Sequence, residues 1–170
     1  MRFRAAAAPL CALLAGCYSV PHLIWPQKDI TSFEVHDPAR GAKVLVASRA
    51  SDFKEAVVAR VAAALEEDSA YVKVVGMRAL RNEPAAAYDA IVLVNSCMSW
   101  AMDRHVVTFV RHHGDLGNVI ILTTSADGAW LPRRKKGNYD AIACASVASR
   151  ADPVSADVLA RVRALLDGGS

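Results

Sequence analysis

No P-loop, no dinucleotide-binding Gly-x-Gly-x-x-Gly, no nucleophile elbow and no His-Glu-x-x-His pair occurs in this chain of 170 residues. The phosphate cradles, exposed serines and metal-bound helices that those patterns build are therefore excluded. Cysteine is sparse, with four residues and no zinc-ligand spacing. An excess of one charge is also missing. Of the 20 basic residues, Arg2 and Arg4 lie in the first four positions, and without them 18 basic face 17 acidic residues, a net charge of +1. The basic pI thus belongs to the extreme N-terminus and gives no reason to expect a nucleic-acid partner. No apolar run reaches the ~20 residues that a membrane-spanning helix needs. What is present is an apolar content of 54%, inflated by alanine but ample for the core of one domain.

The N-terminus is patterned for export. Arg2 and Arg4 form a charged start, and Ala5 to Ala15 is a short uncharged and mostly apolar run that ends in Leu14-Ala15-Gly16-Cys17. Those four residues resemble the lipobox of bacterial lipoproteins, which implies a signal peptide over 1–16 and a diacylglyceryl group on Cys17. The expected location is the cell envelope, lipid-anchored to a bacterial membrane and facing the periplasm or the surface. Acylation of this kind anchors stably without a spanning helix. Residues 17–40 carry Pro21, Pro26 and Pro38 and read as the lipidated cysteine and its tether, with Thr31 to Val35 alternating weakly enough to add an edge strand. Cys97 and Cys144 remain in the domain. An exported protein permits a disulfide between them, but strands two positions apart are roughly 10 Å apart, which favours two small buried thiols.

From residue 41 the chain alternates strand and helix. Lys43 to Ala47 is a short buried strand, and from Asp52 the period changes: Phe53, Val57, Val61 and Leu65, with Val58, form one helical stripe. Tyr71–Met77, Asp89–Asn95, Asn118–Thr124 and Asp140–Cys144 are further apolar runs of strand length. Met102, Val106, Phe109 and Val110 mark a helix between the third and fourth, and Val158, Leu159, Val162, Leu165 and Leu166 a last helix opened by Pro153. The second crossover, with Pro84 and an alanine cluster, suits a short helix or a loop. Alternation of this kind predicts an α/β domain over 41–170, a doubly wound five-stranded parallel sheet of order 2-1-3-4-5 with helices on both faces.

The stretch from about Gly41 to Asp167 is similar to the flavodoxin family. Ala47-Ser48-Arg49-Ala50-Ser51 stands at the family's phosphate loop, and Tyr88 to Val94 at its third strand, with Trp100 near an aromatic that flanks the flavin ring. Val119 to Ser125 resembles the fourth strand and its loop, and Asp140 to Ser146 the fifth. The resemblance implies a flavodoxin-like fold and bound FMN, used as an electron carrier or an FMN-dependent oxidoreductase. It places Ser48, Arg49 and Ser51 on the phosphate, with Asn95, Ser96, Trp100, Thr124 and Ser125 around the ring.

Read as chemistry, these residues leave two functions open. Ser48, Ser51 and Arg49 supply hydroxyls and a charge, but Ser48 to Phe53 contains no glycine to let the backbone close on a phosphate. Asp52 followed by Glu55 has the spacing of a capping box, whose carboxylates would repel one. The first reading is an FMN protein transferring electrons at the envelope, with a redox partner. The second is a flavodoxin-fold module that has lost the flavin and serves as an envelope interaction or structural protein. Arg133-Arg134-Lys135-Lys136 is the densest charge, either a solvated loop or a contact for anionic headgroups. His105, His112 and His113 have no carboxylate placed to complete a metal site.

Overall fold

A computed structural model describes residues 27–39, 41–132 and 137–168. The expected signal segment 1–16, Cys17 and the basic run 133–136 lie outside the described residues.

Each apolar run forms the strand its composition predicts. Strand β1 is Phe33–Val35, β2 Lys43–Ser48, β3 Tyr71–Gly76, β4 Ala90–Ser96, β5 Val119–Ser125 and β6 Asp140–Ala145. Helix α1 is Asp52–Glu67, α2 Arg104–His112 and α3 Ala151–Gly168. The sheet has six strands in the order β1-β3-β2-β4-β5-β6. This corrects the expected five-stranded sheet of order 2-1-3-4-5. The added strand, β1, pairs antiparallel with β3 at the edge, and the other pairings are parallel. Its three residues are mostly exposed, so the burial pattern that marks a central strand is missing.

The sheet is covered on both faces. Alternate residues of the strands pack on one side against the predicted stripe of α1 and against Val154, Val158 and Val162 of α3. On the other side Leu45, Leu93 and Ile121 meet Val106, Phe109 and Val110 of α2, together with Leu80. Leu80 comes from a single 3-10 turn, Ala79–Asn82, which with Ala85–Ala87 takes the place of a second-crossover helix. Pro84, between the two turns, offers no N–H for a continuing helical ladder. In the described residues no helix is long and apolar enough to cross a membrane.

Parallel pairing brings the carboxyl ends of the strands to one rim. Ser48 lies opposite Gly76 on β3 and Val94 on β4, and Ser96 lies opposite Thr124 on β5. Residues 27–30, expected in the tether, belong to this rim: Asp29 bridges Arg49 antiparallel, Ala50 N–H donates to the Lys28 carbonyl at 2.8 Å, and Ile30 enters the core.

Candidate functional site at the carboxyl rim

The turn that follows β2 is the centre of the rim. Ser48 is fully buried and its hydroxyl donates to the Arg49 carbonyl at 2.8 Å. Arg49 turns its side chain inward, where it is only 7% exposed and meets two carboxylates. Its Nε and Nη2 both lie 2.7 Å from Asp103 Oδ2, and Nη1 lies 2.5 Å from Asp29 Oδ1. Asp103, at 2% exposure, also caps α2 by accepting the His105 N–H at 2.8 Å. Asp29 receives the Arg78 N–H at 3.3 Å. Such close approach needs a bare backbone opposite it, since a Cβ on Gly76 would fall 2.6 Å from Asp29 Cβ.

A polar ladder continues from this ion network into the sheet. Asn95 is buried, donates through Nδ2 to Leu122 O at 3.2 Å and Thr123 Oγ1 at 3.1 Å, and accepts the Asp103 N–H at 3.3 Å. Thr124 donates its hydroxyl to Asn95 O at 3.3 Å. Asn95 and Thr124 thus hold the loop after β4 in place and are satisfied by protein groups.

Ser51 is the N-cap of α1, its Oγ accepting the Lys54 N–H at 3.3 Å. The expected capping box is therefore displaced by one residue: Asp52 opens the helix, and the position that would hold the reciprocal Glu holds Lys54. Lys54 is buried and donates from Nζ to Ser96 Oγ at 2.6 Å. Burial first, and then the neighbouring Arg49, lowers its pKa to about 8, with Asp103 opposing. Lys54, Asp103 and Asp29 are the rim residues that the sequence reading missed. Lys54 stands three and four residues before Val57 and Val58, so its place on the buried stripe was readable from helical spacing. Asp103 precedes the α2 stripe as an N-cap should. Nothing local marks Asp29.

The ring end of the rim is more open. A groove of about 310 Å³ runs between the loops after β4, β5 and β6, lined among others by Gln27, Ser96, Cys97, Thr124, Ser125 and Val147. Trp100, expected beside the ring, does not line it, and neither does Trp130. Trp100 stands at 81% exposure on the tip of its loop. Ser125 is held within its own loop, donating to Asp127 Oδ1 at 2.8 Å and accepting the Trp130 N–H at 3.4 Å. Cys97 and Cys144 are free thiols, half-buried and buried, and burial raises the pKa of Cys97. A larger groove, about 420 Å³, lies between α2 and the turn at Leu80, lined by His105, Phe109 and His112. It adjoins the ion network through His105, whose backbone N–H donates to Asp103 Oδ1 at 2.8 Å.

The phosphate turn does not fit an FMN phosphate. The guanidinium that would receive it is shared between two carboxylates, and the hydroxyls of Ser48 and Ser51 serve the backbone. The Arg49 and Ala50 N–H groups donate to Val94 O and Lys28 O. A dianion placed there would compete with Asp29 and Asp103 for the Arg49 guanidinium, and the neighbouring cation, Lys54, is buried against Ser96 Oγ.

No protein-family model and no curated protein matches this chain. Among solved structures it is similar to an oxidoreductase from Corynebacterium diphtheriae, at 14% identity over 74% of this chain and 75% of that one, with a TM-score of 0.34. A likeness of that size carries no argument about function.

Proposed function

We propose that this chain is a lipid-anchored envelope module of flavodoxin-like, doubly wound fold whose phosphate turn has closed on itself, and that it works by contact through its carboxyl rim. The order β3-β2-β4-β5-β6 within the six strands supports the fold reading. The observation that carries the functional reading is the position of Arg49. A cation at the amino end of a helix is the group an anion would use, and here Asp29 and Asp103 take that role from within the chain. The anchor reading rests on the lipobox-like Leu14 to Cys17.

Titrating FMN with the detergent-solubilised full chain tests this. The protein is expected to be colourless and to leave flavin fluorescence unchanged. In Asp29→Asn the guanidinium loses one of its two charged partners, so weak FMN or inorganic phosphate binding is expected to appear there and not in the parent. Flavin quenching by the parent chain, abolished by Ser51→Asp, would refute the closed-turn reading.

A second reading, FMN-dependent electron transfer at the envelope, is favoured by the groove at the ring end, where Ser96, Thr124 and Ser125 line an open space. It requires the phosphate to lie away from Arg49. Parent-chain quenching that is indifferent to Ser51→Asp and to Asp29→Asn is its signature.

A further inference from the structure

The described residues expose four large apolar side chains: Phe33, Trp100, Leu131 and Val147. Phe33 belongs to the edge strand. The other three stand on the loops that leave β4, β5 and β6 at their carboxyl ends, at 81%, 51% and 48% exposure. Trp100 is presented deliberately. Met98 and Ala101 exchange N–H···O bonds of 3.0 and 3.1 Å across a two-residue tip, and Ser99 and Trp100 have φ of 51° and 58°. This is a turn that Asn-Gly adopts with little strain, and the chain uses it to hold a tryptophan in solvent.

The chain enters the domain at this same rim. Gln27 shares the groove with Ser96, Cys97 and Val147, and its carbonyl faces Arg49. Cys17 precedes Gln27 by ten residues. Ten residues reach about 36 Å when fully extended and about 16–19 Å as a relaxed coil. A compact domain of roughly 140 residues is about 37 Å across, and a path half-way round it is about 58 Å. An anchor at Cys17 therefore cannot leave the rim facing away from the bilayer. The tether is too short to pass round the domain.

We propose that the carboxyl rim lies against the bilayer interface, with Trp100 at headgroup level and Leu131 and Val147 beside it. The partner of the rim is then the membrane surface that carries the anchor, and the groove opens towards the headgroup layer. Indole rings favour this depth because one edge is apolar and the N–H finds polar groups. The inference rests on the anchor reading of Cys17 given above.

The test uses the full lipidated chain in phosphatidylcholine–phosphatidylglycerol vesicles with brominated acyl chains, comparing the parent with Trp100→Phe. Trp100 is so exposed that its replacement leaves the core untouched. In the parent, tryptophan emission is expected to be quenched by the brominated lipid, and Trp100→Phe is expected to lose most of that quenching while iodide quenching stays the same. If Trp100→Phe instead removes iodide-sensitive emission and leaves lipid quenching unchanged, Trp100 stands in water. The rim is then left to a protein partner, and the inference is overturned. Flotation separates this from failure of the anchor. A chain that floats through Cys17, losing flotation in Cys17→Ser, but keeps Trp100 in water overturns only the rim orientation. A chain whose flotation does not depend on Cys17 overturns both.

Discussion

Replacing Arg49 by methionine removes the one cation bonded to both Asp29 and Asp103, and the cost can be worked from their burial. Asp103 is 2% exposed and Asp29 22%. Removing one partner of a buried ion pair typically costs about 3–5 kcal/mol, because the remaining charge is left uncompensated. Two features pull the expected value to the lower end. Asp103 keeps the His105 N–H, and Lys54 remains close enough for its charge to be felt there. Asp29, partly solvated, keeps the Arg78 N–H. The expected loss is about 3 kcal/mol, measured as a shift in the urea midpoint at pH 7 with unchanged slope. Because Arg49 depresses the Lys54 pKa, that value is expected to move up from about 8 in the variant. Arg49→Lys should recover only part of the loss, since an ammonium cannot reproduce the forked contacts. A loss below about 1 kcal/mol, the range of solvent-screened surface pairs, together with an unmoved Lys54 titration would mean that the network is wet. The closed-turn argument would then fall with it.

Lys54 gives a pH signature. Its folded pKa of about 8 lies below the ordinary 10.5, so between those values the unfolded chain binds more protons and stability rises with pH. Tyr71, raised by burial and by Glu34 to about 12, reverses the trend above pH 10. Lys54 should contribute a gain of roughly 2–3 kcal/mol between pH 8 and 10, seen by denaturant titration as the difference between the parent and Lys54→Met. The variant's own stability should fall with pH, because the raised Cys97 thiol then acts without Lys54. Equal slopes in the two chains would contradict a charged, buried Lys54. Gly76→Ala places a methyl 2.6 Å from Asp29 Cβ and should push residues 27–30 off the rim. A loss of about 1–3 kcal/mol is expected, with faster tryptic cleavage after Lys28, and unchanged cleavage would show that the segment does not lie against β3.

Much of the architecture can be read without a structure because its causes are local. A run such as Ile91 to Val94 is apolar at every position, which only a strand covered on both faces satisfies. The four-residue spacing from Phe53 to Leu65 marks one face of α1, and every member of it is buried. Strand and helix in alternation then force the loops after β2, β4 and β5 to a common rim. β1 shows only as the weak alternation of Thr31 to Val35, because three mostly exposed residues at an edge carry no stronger pattern.

The meaning of the rim residues, in contrast, was decided by partners far along the chain. The local sequence Ser48-Arg49-Ala50-Ser51 describes hydroxyls and a cation, and the same residues would suit an anion ligand or a structural ion pair. Asp29 and Asp103, 20 and 54 positions away from Arg49, turn that cation into part of the protein's own framework. Lys54 is likewise a first-turn helix lysine by sequence and a buried amine only because Ser96, 42 positions on, receives it. Apolar periodicity is written in neighbouring residues, since burial of one face is a property of the element itself. The role of a charge depends on which opposite charge arrives within about 3 Å of it, and only the folded sheet brings those groups together.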